Sequence, residues 1–341
     1  MGVSCPHSPH DYDRPQTIGS PGRHTGRHDI TIMERLQGFQ HPDFQNGCCL
    51  TIGNFDGVHL GHQAILRTLR QESNRLHRPA VVLTFEPHPA VLLHPERVPP
   101  RLTTADQKAG LLEELGIDFL IEYPTDQTLL QLTALEFFQQ IVIGQLHAGS
   151  LVEGPNFFFG KNRSGDIDVL RNFCQQAEIT LKIVEPTRLA GDLVSSTHIR
   201  TALETGDLHL ANTLLGRPYQ LQGIVSPGAQ RGQTLGFPTA NLEQTQTLIP
   251  APGVYAAWGH TGAGRYPAAV NIGANLTFGE THSKIEAHLL GFSGELYGRT
   301  LQLDLLAWLR DLRSFESVDE LQSQIKSDVA STQLLCEMLR N

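Results

Sequence analysis

From Cys48 to about Val184 the chain alternates short apolar runs with longer amphipathic ones. The short runs predict strands at Cys48–Ile52, Ala80–Phe85, Asp118–Tyr123, Gly149–Glu153 and Thr180–Val184. Between them, helical spacing of apolar residues predicts helices over Leu60–Arg75, Thr104–Leu115, Ala134–Leu146 and Asp166–Ala177. This alternation predicts an α/β domain with a doubly wound parallel sheet, whose ligands gather at the carboxyl ends of the strands. Asp207–Leu215 reads as a short closing helix. Near Arg217-Pro218 the pattern changes to short alternating runs separated by Gly and Pro: Tyr219–Val225, Gly253–Trp258, Ala268–Ile272, Ile285–Leu290 and Leu301–Trp308. These predict an antiparallel β-barrel, followed by one helix at Val318–Val329. The expected domains are therefore 46–216 and 217–341. Residues 1–45 carry almost no apolar period and are expected to form a disordered extension, with Met33 a candidate for the native start.

Composition narrows the classes of function. A net charge of −9 argues against nucleic acid or an anionic membrane as the main partner. Five cysteines without regular spacing do not make a disulfide framework. No apolar run approaches the roughly 20 residues of a membrane span. The first residues, rich in His and Pro, lack the apolar centre of a signal peptide. These features predict a reduced, cytoplasmic enzyme.

The strongest candidate chemistry is GNFDGVHLGH, Gly53–His62, between the first predicted strand and helix. His59 and His62 fall on one face of the helix's first turn, where unpaired amides and the positive end of the helix dipole attract phosphate. Gly53, Gly57 and Gly61 let the backbone approach a ligand. A structural turn is the plainer reading. Zinc would need further ligands at suitable spacing, and Cys48 and Cys49 point to opposite faces of a strand.

Other polar motifs also follow strands. TFEPHP, Thr84–Pro89, reads equally well as a proline-fixed turn. The loop Glu153–Asp166 is no Walker motif, because Gly154 and Gly160 are too far apart and Asn162 follows Lys161. It does present Asn156, Lys161, Arg163 and Asp166 near a helix start, and Phe157 to Phe159 read as packing before flavin stacking. In VSSTHIR, Ser195, Ser196 and Thr197 can cap a helix, hold a triphosphate together with Arg200, or do both. In the second half, Gly232 and Gly236 bound a flexible loop leading to Thr239 and Asn241, which share a face if extended. A hydroxyl and an amide oxygen suit Mg²⁺ when ATP supplies further oxygens. Glu286 is a candidate general base, although a carboxylate in such a strand is more often a surface residue.

Taken together these residues resemble one family, the bacterial-type bifunctional riboflavin kinase/FAD synthetase. The resemblance runs from about Leu50 to Val329. It rests on GNFDGVHLGH, TFEPHP, FFFGKNRSGD, VSSTHIR, RGQTLGFPTANL, PGVYAAW and IEAHLL in family order. It implies an N-terminal FMN adenylyltransferase module of the HxGH type and a C-terminal riboflavin kinase barrel. With ATP and Mg²⁺ the kinase would convert riboflavin to FMN, and the synthetase would join FMN to the adenylyl group of a second ATP, giving FAD. The resemblance makes His59 and His62 the HxGH pair, and Glu286 the kinase base. Thr239 and Asn241 become metal ligands, and Gly232 and Gly236 part of a nucleotide loop. Ser195, Ser196, Thr197 and Arg200 would hold nucleotide with Gly53 and Asn54, and Asn156 and Asp166 would face the flavin. Departures from the family pattern lie at Ser226–Gln230, Gln233, Gly291 and Ser293. A single-activity adenylyltransferase and a flavin carrier without turnover remain the rival readings.

Overall fold

The computed structural model describes residues 33–39, 41–227, 232, 236–274 and 284–339. Its first layer is a parallel sheet of six strands: β1 (Glu34–Leu36), β2 (Cys48–Ile52), β3 (Ala80–Glu86), β4 (Phe119–Pro124), β5 (Ala148–Glu153) and β6 (Thr180–Ile183). Their spatial order is β1-β4-β3-β2-β5-β6. Successive residues face opposite cores. Cys48, Leu50 and Ile52 pack on one side with Phe138, Ile141 and Leu170, whereas Cys49 packs on the other with Leu66, Leu69 and Leu112. Helices α1 (Leu60–Leu76), α2 (Ala90–Leu93) and α3 (Ala105–Glu114) precede β4. After it come α4 (Gln127–Gln131), α5 (Ala134–Phe137), which continues as a π-helix over Phe138–Gln145, and α6 (Ile167–Gln176). Covering both faces explains why the strands are continuous apolar runs.

The expected disordered extension to residue 45 is corrected for its described part. Glu34–Leu36 pairs in parallel with Phe119–Ile121, and Met33 is buried. The strand has three residues, two of them exposed, so no period of two could reveal it. Arg35 explains its attachment, forming a fork on Glu122 at 2.9 Å and a pair with Asp106 at 2.7 Å. Residues 1–32 lie outside the described residues.

The second half closes as a six-stranded antiparallel barrel: β9 (Tyr219–Ser226), β10 (Ala240–Glu243), β11 (Gly253–Thr261), β12 (Gly264–Gly273), β13 (Lys284–Leu289) and β14 (Thr300–Arg310). The preceding hairpin pairs β7 (Arg188–Leu189) with β8 (Asp192–Leu193). Five of the six barrel strands follow from the sequence pattern. The sixth, β10, has only Ala240 and Leu242 facing inward, too short an alternation to stand out. Its pairing with both β9 and β13 closes the barrel and removes two sheet edges. The terminal helix α9 (Val318–Met338) runs past its expected end, burying Thr332 and Cys336.

Helices α7 (Ser196–Glu204) and α8 (Leu208–Leu215) share one apolar core with the barrel. Ile199, Leu203, Leu208 and Leu214 pack in the same cluster as Tyr219, Leu221, Leu303 and Leu305. Asn212 fastens the two, donating to the Leu305 carbonyl at 2.9 Å and accepting from the Tyr219 amide at 2.7 Å.

In the parallel sheet the direction of winding reverses between β2 and β5, where ligand crevices form. Their ladder stops at Leu50–Leu151, and the Glu153 carboxyl takes the Ile52 amide at 2.8 Å. Burial raises the Glu153 pKa well above the carboxylate range, opposed only in part by that amide. A carboxyl raised in the folded state holds a proton that the unfolded chain releases. Its contribution to stability is therefore lost as pH climbs above the ordinary carboxylate pKa. Glu153→Gln, which mimics the neutral acid, should melt higher than wild type at about pH 8 and flatten the Tm profile between about pH 5 and 8. Identical pH slopes in thermal melts of the two proteins would refute this.

Candidate active sites

Strand β2 delivers its chain into a turn at Gly53 and then into the first turn of α1. His59 is the N-cap of α1, and its Nδ1 accepts the His62 amide at 3.3 Å. That bond leaves Nδ1 without a proton, so neutral His59 carries its proton on Nε2. The two imidazoles stack at 3.7 Å between centroids and 16° between planes. Gly61 permits this, because a Cβ there would lie 3.2 Å from the His59 ring. Burial pushes the His59 pKa down to about 4, with Asp56 opposing and Arg217 and Arg200 adding to the fall. Burial, then His59 itself, holds His62 well below its ordinary value. Both rings are therefore neutral near pH 7. They can donate hydrogen bonds but are not standing cations. His62 Nδ1 is buried and meets no hydrogen-bond partner among the described residues.

Asp56, which sequence reasoning passed over, ties this turn to two remote segments. Its carboxylate accepts from the Leu102 amide at 3.0 Å, the Thr103 amide at 3.1 Å and the Thr103 hydroxyl at 3.2 Å. It also pairs with Arg200 at 2.5 Å. Its backbone carbonyl accepts the Ser196 hydroxyl at 2.9 Å. The expected nucleotide residues of α7 thus arrive beside the histidine turn. Ser195 caps the helix by accepting the His198 amide, while Thr197 is exposed. Arg200 spends its guanidinium on Asp56 and on the Pro100 carbonyl at 2.7 Å.

Two further residues escaped sequence reasoning. Lys108 is buried on α3, and its ammonium reaches the Asn54 carbonyl at 3.2 Å and the Thr84 hydroxyl at 3.3 Å. Burial lowers its pKa, against the pull of Glu86, Asp56 and Glu122. The available signal was a lysine on the buried stripe of α3, one turn before Leu112. His88, inside TFEPHP, meets the Asn54 amide at 2.8 Å and accepts the Ala90 amide at 3.0 Å. Gly53 begins the turn beneath the Phe55 ring, which a Cβ would approach to 3.2 Å.

The loop after β5 is pinned by reciprocal bonds between Phe159 and Gly165, each 3.0 Å. Phe159 is buried and stacks on Phe157, as the packing reading expects. Phe158 is exposed, with the Arg163 guanidinium 4.2 Å above its ring. Asn156 is exposed as well. Asp166 caps α6, accepting the Val169 amide at 2.9 Å and the Asp168 amide at 3.1 Å.

In the barrel, Asn241 on β10 lies directly opposite Glu286 on β13, and Glu286 lies opposite Asn271 on β12. Ala240, Leu242, Ile285 and Ala287 are buried, so Asn241 and Glu286 share the other face, their Cβ atoms about 5 Å apart. Thr239 lies two residues before Asn241, immediately before β10 begins. Gly232 lies close against it, since a Cβ there would press on the Phe237 carbonyl at 2.4 Å and sit 3.2 Å from the Thr239 hydroxyl. Gly236 occupies the left-handed region with φ +86°. Two neutral oxygens beside a space that only glycine leaves open suit Mg²⁺ carried with a nucleotide. Of the departures from the family pattern, 228–230 and Gln233 lie outside the described residues. Gly291 has φ +74°, which accounts for glycine there.

The comparisons with known proteins follow this division. A family model described as FAD synthetase matches residues 41–198, and one described as riboflavin kinase matches 215–336. The bifunctional riboflavin kinase/FMN adenylyltransferase of Escherichia coli K12 is 37% identical over 286 residues, 83% of this chain and 91% of its own. That of Pseudomonas fluorescens is 39% identical, covering 85% and 93%, and that of Bacillus subtilis 34%, covering 82% and 89%. A crystal structure described as a macrolide-efflux protein from Streptococcus pneumoniae is 30% identical, with TM-score 0.79, over 89% of this chain and 99% of that one. Among the described residues, no helix is long and apolar enough to cross a membrane. With both halves matched in order, the chain belongs to the bifunctional riboflavin kinase/FMN adenylyltransferase family.

Proposed function

We propose that this chain makes FAD from riboflavin in two steps, with the labour divided at about residue 217. The observation that carries the reading is the presence in one chain of two distinct constellations. One is a neutral histidine pair at a helix start, and the other is a carboxylate facing Asn241 across a strand pair. In the barrel, Glu286 accepts the proton of the riboflavin 5′-hydroxyl, whose oxygen attacks the γ-phosphorus of ATP, releasing ADP and FMN. Thr239 and Asn241 would hold Mg²⁺, which neutralises phosphate charge when bound. Gly232 and Gly236 let the loop close over the nucleotide.

In the parallel-sheet half, a phosphate oxygen of FMN attacks the α-phosphorus of a second ATP, and pyrophosphate leaves. No covalent protein intermediate is needed, so the site's work is positioning and offsetting charge. His59 donates from Nε2, and His62 orders it from below. Gly53, Asn54, Ser195, Ser196, Thr197 and Arg200 line the nucleotide's path, with Lys108 adding positive charge. Asn156 and the exposed Phe158 loop would meet the flavin, and Asp166 would hold that loop's helix start. The working partners are riboflavin, FMN, FAD and ATP, without nucleic acid or membrane. Among the described residues, the buried free thiols Cys48, Cys49 and Cys174 suit a reducing cytoplasm.

Chromatography of flavins formed from riboflavin, ATP and Mg²⁺ tests the whole reading, which expects FMN followed by FAD. His59→Ala should lower FAD formation about a hundredfold or more while leaving FMN formation largely intact. Equal loss of both products would overturn the separation of sites. Glu286→Gln should lower riboflavin phosphorylation by about a hundredfold or more and spare adenylylation of supplied FMN. A kinase rate near wild type would remove Glu286 from its role.

A further inference from the structure

The turn that carries His59 into α1 is strained. Phe55 and Val58 have φ +48° and +37°, and Gly57 has φ +82°. Left-handed conformations of non-glycine residues cost on the order of 1–3 kcal/mol each and persist only where surrounding contacts over-determine them. Asp56 supplies those contacts on one side.

Arg217 supplies them on the other. Its guanidinium donates from Nη2 to the Gly57 carbonyl at 2.7 Å, and from Nη1 to the Val58 carbonyl at 3.2 Å and the Leu215 carbonyl at 3.4 Å. Gln63, one turn into α1, donates to the same Val58 and Leu215 carbonyls, each at 3.0 Å. Gly216 completes the fit, since a Cβ there would lie 2.6 Å from the Leu60 side chain. No carboxylate lies within ion-pairing distance of Arg217 among the described residues. Burial lowers its pKa to about 10, with Glu114 and Asp304 opposing from a distance. A half-buried cation whose hydrogen bonds all go to carbonyls is an expensive way to join two domains. Here two of those carbonyls belong to the peptides immediately before His59.

We propose that Arg217, although it lies in the segment matched to riboflavin kinase, is a positioning residue of the adenylyl-transfer site. By fixing the Gly57–Val58 and Val58–His59 peptides, its planar fork sets the approach of the His59 ring to the nucleotide. Its charge also reaches both histidines, alongside Asp56, Arg200 and Lys108. The inference rests on the reading that His59 and His62 serve adenylyl transfer. It makes the start of the kinase half a structural part of the other half's catalytic turn. A lysine can supply the charge but not the fork.

The test uses the full chain with Arg217→Lys and Arg217→Met, measuring both half-reactions separately beside His59→Ala. The expected result is a fall of about tenfold or more in kcat for adenylylation, deeper for Met than for Lys, with the KM for FMN and the kinase rate within about twofold of wild type. A parallel fall in both activities would mark Arg217 as merely structural and overturn the proposal. So would adenylylation near the wild-type rate in both variants. If Arg217→Met fails to fold, the Lys variant carries the same comparison alone. Should His59→Ala leave FAD formation intact, the reading of the histidines fails. Should it abolish FAD while both Arg217 variants stay active, only the present inference fails.

Discussion

The Asp56 carboxylate is the contact on which the rest of the histidine turn depends. It gathers the amides of Leu102 and Thr103, the Thr103 hydroxyl and the Arg200 guanidinium around one point. Hydrogen bonds to a charged group contribute about 1.5–3 kcal/mol each. Two left-handed non-glycine residues, Phe55 and Val58, cost about 1–3 kcal/mol each. On those magnitudes the carboxylate network can offset the strain, and the Arg217 contacts add to it. The turn is held between an anion and a cation that never touch.

Between those anchors the histidines stay neutral. Their burial and mutual stacking remove the charge that an exposed pair would acquire at mildly acidic pH. Neutral rings suit a reaction in which phosphate attacks phosphate and no proton has to be moved by the protein. Positive charge around the pair comes instead from Lys108, Arg200, Arg217 and the N-terminus of α1. The chemistry proposed for the barrel differs, because a hydroxyl nucleophile has a proton to lose and Glu286 is the carboxylate proposed to accept it.

The two halves are less separate than their chemistry. Helices α7 and α8 contribute Ser196 and Arg200 to the histidine turn while burying Ile199, Leu203 and Leu214 in the barrel's own core. A residue run whose polar face serves one site and whose apolar face belongs to the other domain couples the folding of both. The hydrogen-bond chain from Gln107 through Gln220 and Asp304 to His260 crosses the same boundary.

Much of this was legible in the residue order. Local periodicity identified β2 to β6 and most of the barrel because most of these strands either bury both faces or alternate cleanly. The glycine-punctuated turn before α1 marked a candidate phosphate site because helix starts attract anions whatever surrounds them. The three-residue β1 and four-residue β10 were hidden, being too short to show a period and held by partners remote in sequence. Asp56, Lys108 and Arg217 were hidden for a related reason. A charged side chain reveals nothing of its role until the fold decides which carbonyls, amides and charges it is buried against. Sequence alone determined the elements and the chemistry available at their ends. Tertiary structure decided which distant groups meet there, because strain, desolvation and ion pairing depend on neighbours in space and not along the chain.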